Sequence, residues 1–440
     1  NFLATVTGNA GGGDWLDVTT IDSGNTYAYF CNGASGMGAY PQNSQGLVEY
    51  VTRAIDNRVD FSQFDMDHDG YVDGVAIVFA GDADGSLDKF WPHAWALNEH
   101  EYMTGDGVKV NSYYISRELE PSNTAEIGVH CHEYGHVLGL PDLYDYTYTS
   151  YGVGNYDLMA MGNYLGAVPS RQPAQLSAWS KKQLGWLSPT TATFGMQTLA
   201  QVENTAAALQ VPLTLNNTTE YFLIENRQKT GFDALLPGTG LLIYHVDEAV
   251  YAANPSRPND NRSHKTVDVE CADGLDSSGF DHLDRMDNDG DALDYWYAGN
   301  KMLFDGTSNP NTNMYDGHAS GISVSEISAS GGLMTFKLLT PFANQMGNRS
   351  AVAYPNPFNL AISNTVRIRT QPVSEARRIR ICNLRGMQVR EFGQNEIGED
   401  GIVDWDGSTD NGGKVASGTY LLIITDISGN ETIGHFTLVR

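Results

Sequence analysis

Two histidines four residues apart, with a glutamate beside the first, are the residues of this sequence best suited to catalysis. They are His132, Glu133 and His136, and on a helix the two imidazoles lie on one face about one turn apart. Imidazoles placed in this way can bind one Zn²⁺, and Glu133 can then take a proton from water at the metal. Gly139 lets the chain leave the helix with positive φ, so that Asp142 can return as a third ligand. The spacing therefore predicts a hydrolytic zinc site with one open coordination position.

The alternative to a metal site is an ordinary buried helix that contains two histidines by chance. The motif H-E-x-x-H alone does occur by chance, but the glycine and aspartate that follow it here make chance a poor explanation. His130 lies two residues before His132, points to another helical face and is interpreted as structural. If Asp142 is not the third ligand, Asp145 is the next candidate.

A run of alternating carboxylates upstream of the histidines has the spacing of a calcium-binding loop. Gly70 provides the sharp turn that such loops need at their sixth position. The ligands that the pattern predicts are the carboxylates of Asp65, Asp67, Asp69 and Asp73 and the carbonyl oxygen of Tyr71. The glutamate that closes an EF-hand is missing, so the prediction is a structural Ca²⁺ loop and not an EF-hand. A solvated acidic turn is the alternative.

A weaker form of the same pattern lies further along the chain. Asp287, Asp289 and Asp291 alternate with Asn288 and Gly290. This pattern supports a second Ca²⁺ loop and an ordinary acidic loop equally well.

The elements that must position these residues can be predicted from hydrophobic periodicity and helix caps. Residues 124–138 are predicted to form the helix that carries the histidines, with Ser122 or Asn123 as its cap. Residues 72–81 are predicted to form a buried strand directly after the acidic loop, and residues 45–58 a short amphipathic helix.

Beyond residue 170 the pattern changes from helical to β-rich. Residues 171–184 predict one more helix, which Gly185 is placed to end. From about residue 187, short apolar runs are separated by Gly, Asn, Asp and Pro clusters, which is typical of strands joined by turns. A linker is predicted between residues 341 and 352. Residues 346–440 repeat the β pattern and predict a small β-sandwich.

Length and charge support a division into domains. The chain has 440 residues, too many for one compact core, and a net charge of −27. The segment from Met346 onward contains 10 basic and 10 acidic residues, so the preceding residues carry the whole negative charge.

Such an acidic chain lacks the basic face that nucleic acids require, so no nucleic-acid partner is expected. Hydrophobic residues make up 41% of the chain, which is enough for substantial cores and excludes a disordered acidic tail.

Targeting and cysteine signals are sparse. No apolar run reaches the ~18 residues of a membrane span, so no transmembrane segment is expected. The sequence begins at Asn1 without Met or a leader pattern, so we expect that any signal peptide or pro-segment has been removed or is not part of this sequence. The four cysteines form no C-x-x-C pair, so a cysteine zinc site is not expected, and disulfides and buried free thiols both fit the spacing. These cysteines are Cys31, Cys131, Cys271 and Cys382.

The sequence around the histidines resembles a known family. HEYGHVLGLPDLYD, which begins at His132, and NYDLMAMG, which begins at Asn155, are similar to motifs of the immune inhibitor A-type secreted metallopeptidases, a metzincin-like group. Further similar blocks, such as WPHAW and EYFLIENRQKTGFDALLPGTG, extend the likeness over most of residues 61–338. The resemblance implies a zinc endopeptidase in which the two histidines of the motif and Asp142 bind the metal. It also implies that Glu133 is the general base.

Two further roles follow from this resemblance. Metzincins have a methionine-containing turn below the metal, and Met159 is predicted to occupy it, with Met161 as the second choice. Two ordinary core methionines are the alternative. The family also implies a tyrosine that steadies the tetrahedral oxyanion, for which Tyr164 is the first candidate and Tyr144 the second. Tyr156 departs from the pattern, because the family usually has Trp at this position.

The C-terminal segment resembles a different family. YPNPFN from Tyr354, the Trp405-Asp406-Gly407 turn and the Gly418-Thr419-Tyr420 strand are similar to the C-terminal sorting domains of proteins exported by type IX-like systems. These domains have an immunoglobulin-like form. The resemblance implies that the partner of this segment is an export machinery. A generic β-sandwich with an interaction role is the alternative.

These observations predict an α+β protein with three domains. They are a metzincin-like zinc protease domain over residues 1–186, a β-rich domain packed on it over 187–340, and an immunoglobulin-like β-sandwich over 346–440. The predicted function is a secreted or cell-surface endopeptidase that hydrolyses proteins and peptides through a zinc-activated water, with Glu133 as base. Zn²⁺ for catalysis and structural Ca²⁺ are the expected cofactors. The alternatives are a catalytically silent surface-binding or adhesive protein and a zinc hydrolase of non-peptide bonds.

Overall fold

The structure is a computed structural model that describes most of the chain. The described residues are 4–8, 14–18, 27–79, 81–120, 123–192, 195–213, 219–339, 350–354, 358–360, 364–371, 376–383, 387–398, 402–426 and 431–440. Most of the predicted linker, the capping candidate Ser122 and the middle of the YPNPFN motif lie outside these residues.

Helices and strands alternate irregularly, with far more strands than helices. The helices are α1 (Tyr27–Cys31), α2 (Ser44–Ile55), α3 (Ile127–Val137), α4 (Ala178–Gln183) and α5 (Glu248–Ala253). The strands are β1 (Ala4–Gly8), β2 (Asp14–Val18), β3 (Val75–Phe79), β4 (His93–Ala96), β5 (Tyr102–Met103), β6 (Lys109–Val110), β7 (Ser112–Arg117), β8 (Leu119–Glu120), β9 (Asn123–Thr124), β10 (Thr190–Thr191), β11 (Gly195–Ala200), β12 (Leu209–Pro212), β13 (Glu220–Arg227), β14 (Gly240–Asp247), β15 (Val267–Val269), β16 (Ser323–Ser325), β17 (Leu333–Leu339), β18 (Ser350–Tyr354), β19 (Phe358–Asn359), β20 (Val366–Gln371), β21 (Ala376–Asn383), β22 (Gln388–Gly393), β23 (Ile402–Trp405), β24 (Gly418–Asp426) and β25 (Glu431–Val439). In the part of the chain that the structure describes, every helix is too short or too polar to span a bilayer.

The first sheet supports the helix that carries the histidines. Its strand order is β2-β1-β3-β7-β4, with β3 and β7 parallel and β4 antiparallel to β7 at the edge. The apolar run of β3 is central in the sheet, so Val75, Ile77 and Phe79 enter a core shared with Leu47 and Val51 of α2. Helix α3 packs against β7 and β4.

A second sheet lies beneath the segment that follows α3. Its strand order is β10-β12-β13-β14-β15, and every residue of β13 and β14 is buried. Leu223 and Tyr244 belong to a core that also contains Tyr156, Met159 and Trp179. The segment that follows α3 is therefore held by residues far from it in sequence.

Strand β14 also buries a histidine between two glutamates. His245 Nε2 lies 2.9 Å from Glu220 Oε1, and its Nδ1 lies 3.2 Å from Glu270 Oε1. The ring stacks on Tyr315 with the ring centroids 4.2 Å apart. Burial lowers the pKa of His245, but hydrogen bonds to the two carboxylates outweigh burial and raise the pKa to about 9. The side chain is therefore an imidazolium at neutral pH.

The contacts divide the chain into two compact units. One consists of Asn1–Ala319 and Val324–Lys337, and the other of Ser320–Ser323 and Leu338–Arg440. Residues on both sides of the predicted boundary at 187 belong to the first unit. The division into three domains stays a prediction.

The C-terminal unit contains two sheets around one core. Their orders are β18-β20-β23 and β19-β25-β24-β21-β22. Ile368 and Trp405 come from the first of these sheets, and Ile381, Leu422 and Phe436 from the second, and all five share one buried cluster. The mixed α and β content with strand-rich regions is confirmed, whereas the immunoglobulin-like and metzincin-like forms stay predictions.

The helix predicted over residues 171–184 is wrong in its first half, because α4 begins at Ala178. Pro173 disfavours helical backbone at the residue before it. The Ser177 N–H donates to Asp157 at 2.9 Å, and the Ser177 side chain caps α4 by accepting from Ser180 N–H. Gly185 ends this region with a φ of 70°, as predicted.

The helix over residues 124–138 exists but begins later than predicted, at Ile127. Asn123, a predicted cap, instead pairs with Glu120 in the short hairpin of β8 and β9. Glu126 takes the N-cap position, but its side chain accepts from Arg171 and makes no capping hydrogen bond. The helix start is thus fixed by a hairpin and not by a cap.

Candidate metal centre

Helix α3 buries the first histidine and the glutamate and then turns sharply. His132 and Glu133 are buried, whereas His136 is partly exposed. Gly139 follows the helix with a φ of 99°, which confirms the predicted positive φ. This left-handed residue reverses the chain, so Asp142 returns toward the two histidines.

Three side-chain atoms converge where the chain returns. Asp142 Oδ1 lies 3.0 Å from His132 Nε2 and 3.3 Å from His136 Nε2. His132 Nδ1 lies 2.9 Å from the Leu158 carbonyl oxygen, and His136 Nδ1 lies 2.8 Å from that of Leu140. Because a carbonyl oxygen only accepts, each neutral ring carries its proton on Nδ1 and presents the Nε2 lone pair to the centre.

The charges of these groups fit a cation. Burial raises the pKa of Asp142, but the hydrogen bonds and charges of the two histidines outweigh it and hold the pKa well below its usual range. Burial lowers the pKa of both histidines, but Asp142 and Glu133 outweigh it. The pKa of His136 rises to about 9 and that of His132 rises above its ordinary value. A divalent cation can replace the protons that these groups otherwise share.

The unsatisfied oxygen of Asp142 tests this fit directly. Asp142 Oδ1 is buried and faces only the two imidazole Nε2 atoms among the described residues, whereas Oδ2 accepts from the Tyr146 hydroxyl. Two imidazole nitrogens and one carboxylate oxygen form a donor set that zinc takes when a fourth position stays open. The residues present therefore fit a zinc ion.

Glu133 lies beside the centre but outside the converging group. It is 7% exposed, and the backbone of Ala94 in the edge strand β4 forms a hydrogen bond with it. Burial raises the pKa of Glu133 above its ordinary value, against the opposing charges of His132 and His136. A carboxylate with a raised pKa next to a metal centre can accept and return a proton.

The segment Asp157–Met159 supports the centre from below. Met159 is fully buried, and a Cβ at Gly135 would overlap its Sδ, so this methionine packs against α3 between the two histidines. Asp157 accepts from Met159 N–H at 2.7 Å, from Ser177 N–H at 2.9 Å and from Ser180 Oγ at 2.6 Å. Met161, the second choice for the methionine turn, lines a cavity instead.

That cavity, of about 350 Å³, opens beside His132 and Glu133. Its lining consists of Trp91, Pro92, Arg117, Val129, His132, Glu133, Tyr144, Asp145, Tyr148, Ser150, Tyr151, Met161, Asn163, Tyr164 and Met286. Both oxyanion candidates are among them. Burial raises the pKa of Tyr164, so its hydroxyl keeps its proton and can donate. The Tyr144 ring stacks on His132 with the centroids 6.4 Å apart.

Three functional contacts could not be found from the sequence motif. Tyr146, which donates to Asp142, and the Leu158 carbonyl, which orients His132, depend on loop geometry that no spacing rule describes. Arg117 enters the cavity from β7 and pairs with Glu120 at 2.8 Å. The only feature of the sequence that could have indicated Arg117 is a basic residue at the end of a central strand.

The predicted calcium loop brings three of its carboxylates together. Oxygens of Asp65, Asp67 and Asp69 lie within 4.8 Å of one another. Gly70 takes a φ of 90° at the turn, and its N–H donates to Asp65 Oδ2 at 3.1 Å. Asp73 does not join the converging carboxylates in the described part of the chain. Calcium at this loop stays a prediction.

The weaker loop at residues 287–291 does not converge in this way. Asp287 pairs with Arg285 at 2.7 Å, and Asp289 accepts from Asn155 at 2.9 Å. Asp291 accepts from the backbone of Leu293. Because each carboxylate has its own separate partner, this geometry gives a second calcium loop no support.

Comparison with known proteins agrees with this geometry. Residues 14–187 match the family described as immune inhibitor A peptidase M6, catalytic domain. The chain is 29% identical over 197 residues to immune inhibitor A of Bacillus thuringiensis subsp. alesti, which covers 38% of this chain and 28% of that protein. It is 33% identical over 130 residues to the pre-pro-metalloprotease PrtV of Vibrio cholerae serotype O1, which covers 26% of this chain and 14% of that protein. The M6 match and these relatives support a metallopeptidase, and the family implies a metal ion.

Solved structures give only distant likenesses. A structure of PorZ, a surface component of the type-IX secretion system of Porphyromonas gingivalis, is 20% identical and covers 28% of this chain and 17% of that chain, with a TM-score of 0.19. CopC from Methylosinus trichosporium OB3b is 20% identical and covers 21% of this chain and 93% of that chain, with a TM-score of 0.14. Scores this low carry no weight for the fold.

Proposed function

We propose that the chain is a secreted zinc-dependent endopeptidase. The observation that carries the proposal is the convergence of His132 Nε2, His136 Nε2 and Asp142 Oδ1, with both Nδ1 atoms held by carbonyl oxygens. Zinc bound by these three residues would supply a Lewis acid that polarises a peptide carbonyl and acidifies water. The M6 match over residues 14–187 supports the same activity.

Glu133 is the proton carrier in this proposal. Its carboxylate is buried beside the donor set and is not part of it, so it is free to accept a proton from the attacking water. The same oxygen then returns the proton to the amide nitrogen that leaves. Burial raises the pKa of this carboxyl toward the operating pH, where one group can both accept a proton and return it.

The edge of the first sheet offers a place for an extended peptide. Among the described residues, strand β4 (His93–Ala96) pairs only with β7 in its sheet, and its Ala94 backbone contacts Glu133. A substrate that adds to this edge as a further strand would run past the catalytic glutamate. Trp91 and Tyr164 line the adjoining cavity, and Tyr164 is proposed to donate to the oxyanion.

Two accessory roles belong to the proposal. The carboxylates of Asp65, Asp67 and Asp69 would hold a Ca²⁺ that fixes the loop before β3, because three such groups repel one another without a cation. The C-terminal unit would direct export, which rests on its resemblance to sorting domains.

The activity is tested by incubating the purified chain with casein, with and without a zinc chelator. We expect cleavage that the chelator abolishes and added zinc restores. Glu133→Ala should keep the zinc and lose at least ~10²-fold in rate, since a general base contributes about 10²–10⁴-fold. Glu101→Ala removes a half-buried glutamate that pairs with Lys109, and it should change neither the zinc content nor the rate. Asp142→Ala should lose the zinc itself.

The outcomes separate the alternatives. Binding to casein without cleavage, in wild-type protein that contains zinc, would indicate a silent surface-binding protein. Hydrolysis of small esters but not of casein would indicate a hydrolase of non-peptide bonds. Near wild-type turnover in Glu133→Ala would rule out the proposed proton carrier.

A further inference from the structure

A second group of metal-binding side chains lies far from α3 in sequence. Cys271, Asp273, His282 and Asp294 each offer one ligand atom, and these four atoms lie within 4.8 Å of one another. Cys271, His282 and Asp294 are almost fully buried, and Asp273 closes the group on the solvent side. No spacing motif marks the group, because its members are 2, 9 and 12 residues apart.

The donors of this group are oriented but not satisfied. His282 Nε2 and Asp294 Oδ1 are both buried, and neither has a hydrogen-bond partner among the described residues, although they lie 3.3 Å apart. His282 Nδ1 lies 3.4 Å from Asp273 Oδ2. The other oxygen of Asp294 accepts from the Tyr156 hydroxyl and from Asp291 N–H at 2.8 Å. These bonds fix the carboxylate so that its free oxygen faces the histidine.

A neighbouring acidic cluster shows the contrast. Asp268, Asp281 and Asp284 also converge, but Lys265 lies among them with its Nζ 2.5 Å from both Asp268 and Asp284. That cluster therefore contains its own cation, and it needs no metal.

The group around Cys271 contains no such cation. Within the described ranges, no lysine or arginine forms an ion pair with Asp273 or Asp294. Lys301 donates to the backbone carbonyls of Asp273 and Asn309 and not to the Asp273 carboxylate. An imidazolium at His282 would account for the two carboxylates. It would not account for the thiol that converges with them.

We propose that Cys271, Asp273, His282 and Asp294 form a second, structural zinc site. One sulfur, one nitrogen and two carboxylate oxygens make a four-ligand set that zinc accepts, whereas calcium takes oxygen ligands only. All four positions are filled by the protein, so no position is open for water or substrate. The site is therefore structural and not catalytic.

The surrounding chain has little regular secondary structure, and a metal site could stabilise it. Between β15, which ends at Val269, and β16, which begins at Ser323, the described chain forms no further helix and no strand longer than an isolated bridge. A metal that joins residues 271–273 to residues 282 and 294 would cross-link this long irregular segment next to the second sheet. The expected gain is stability, because the metal binds the native state and not the unfolded chain.

The test uses cobalt, because a thiolate bound to Co²⁺ gives an intense near-ultraviolet charge-transfer band. The site at His132, His136 and Asp142 contains no sulfur and cannot produce this band. We expect two zinc equivalents in the dialysed wild-type chain, and the charge-transfer band after cobalt substitution. Cys271→Ala should lose the band and one of the two equivalents.

Two matched variants make the result specific. Cys31→Ala removes another fully buried thiol, one in the first core, and should keep both the band and the zinc. His132→Ala/His136→Ala should lose the first metal and keep the band. The charge-transfer band and the zinc content are measured without proteolysis, so this test does not depend on the proposed function.

If Cys271→Ala fails to fold, Asp273→Asn is the alternative variant, since that side chain is partly exposed. It should fold and release cobalt at a lower chelator concentration than the wild-type chain. A wild-type chain that shows no charge-transfer band would overturn the proposal and leave His282 as an imidazolium between two carboxylates. A Cys271→Ala chain that keeps the band would overturn it as well.

Discussion

Replacing Asp157 with asparagine tests how the fold holds the metal centre. Asp157 is fully buried and accepts three hydrogen bonds, from Met159 N–H through Oδ1 and from Ser177 N–H and Ser180 Oγ through Oδ2. An asparagine keeps one oxygen and presents an amide N–H₂ at the other position. Whichever way it turns, at least one buried donor then faces another donor.

The size of the effect follows from these bonds. A buried donor left without a partner costs about 1–3 kcal/mol, and bonds to a neutral amide are about half as strong as those to a carboxylate. Relief of the cost of burying a charge offsets part of this loss. We therefore expect Asp157→Asn to lower the free energy of unfolding of the first compact unit by about 2–4 kcal/mol.

The same change should weaken zinc binding. Leu158, the next residue, holds His132 Nδ1 through its carbonyl oxygen, and loss of the anchor at Met159 N–H frees that carbonyl to move. Changes to such supporting bonds typically cost about 10–100-fold in metal affinity. The assays are urea unfolding followed through the loss of activity, and zinc competition with a chromogenic chelator.

The control is Asp276→Asn. Asp276 makes the same kind of local bonds, to Ser278 N–H at 2.7 Å and Ser278 Oγ at 2.5 Å, but on the exposed surface. Asp276→Asn should lower the free energy of unfolding much less than Asp157→Asn, and it should leave the zinc affinity unchanged. If Asp157→Asn behaves like this control in both assays, the buried carboxylate does not organise the centre and the reasoning fails.

Three further outcomes are expected. Gly135→Ala should destabilise the chain and weaken zinc binding. Overlap with Met159 costs about 1–3 kcal/mol, whereas the higher helix propensity of alanine stabilises by only about 1 kcal/mol. An unchanged zinc affinity would contradict this. Calcium should raise the melting temperature, and Asp67→Asn/Asp69→Asn should lose most of that rise, which differential scanning calorimetry can measure. The fold raises the pKa of His245 from 6.5 to about 9. The contribution of this residue to stability is therefore complete below pH 6.5 and is lost as pH rises through 9. Over this window the free energy of unfolding falls with a slope approaching about 1.4 kcal/mol per pH unit. His245→Gln should show a flatter urea-unfolding profile over this window, and a profile as steep as that of the wild-type chain would contradict the assignment.

The parts of the fold that the sequence predicts are those set by local physics. The strand Val75–Phe79 follows from a continuous apolar run, and the reversal at Gly139 follows from the freedom of glycine at positive φ. The return of Asp142 to the histidines could be expected because only five residues separate it from His136. Such features need no knowledge of distant partners.

The parts that the sequence could not decide depend on the partners that the fold brings to each side chain. The helix predicted over 171–184 begins only at Ala178, after Pro173 and at the N-cap Ser177, whose N–H donates to Asp157. For the loop at residues 287–291 the spacing favours a calcium site and an ordinary acidic loop equally. Two of its carboxylates pair with Asn155, which is distant in sequence, and with Arg285, which is near. Spacing rules identify candidate ligands that are near in sequence. They do not predict which other side chains the fold places in contact with those ligands.

The segment Tyr156–Met159 links both metal groups through four successive residues. Tyr156 donates to Asp294 of the proposed second zinc site, and Asp157 anchors the start of α4. The Leu158 carbonyl orients His132, and Met159 packs below α3. Since each residue is fixed by a different part of the fold, a shift at one must disturb the others. Of the second group, Asp294 therefore holds the Tyr156 hydroxyl at the start of the segment that carries Met159, although the four residues of that group lie outside the matched region 14–187.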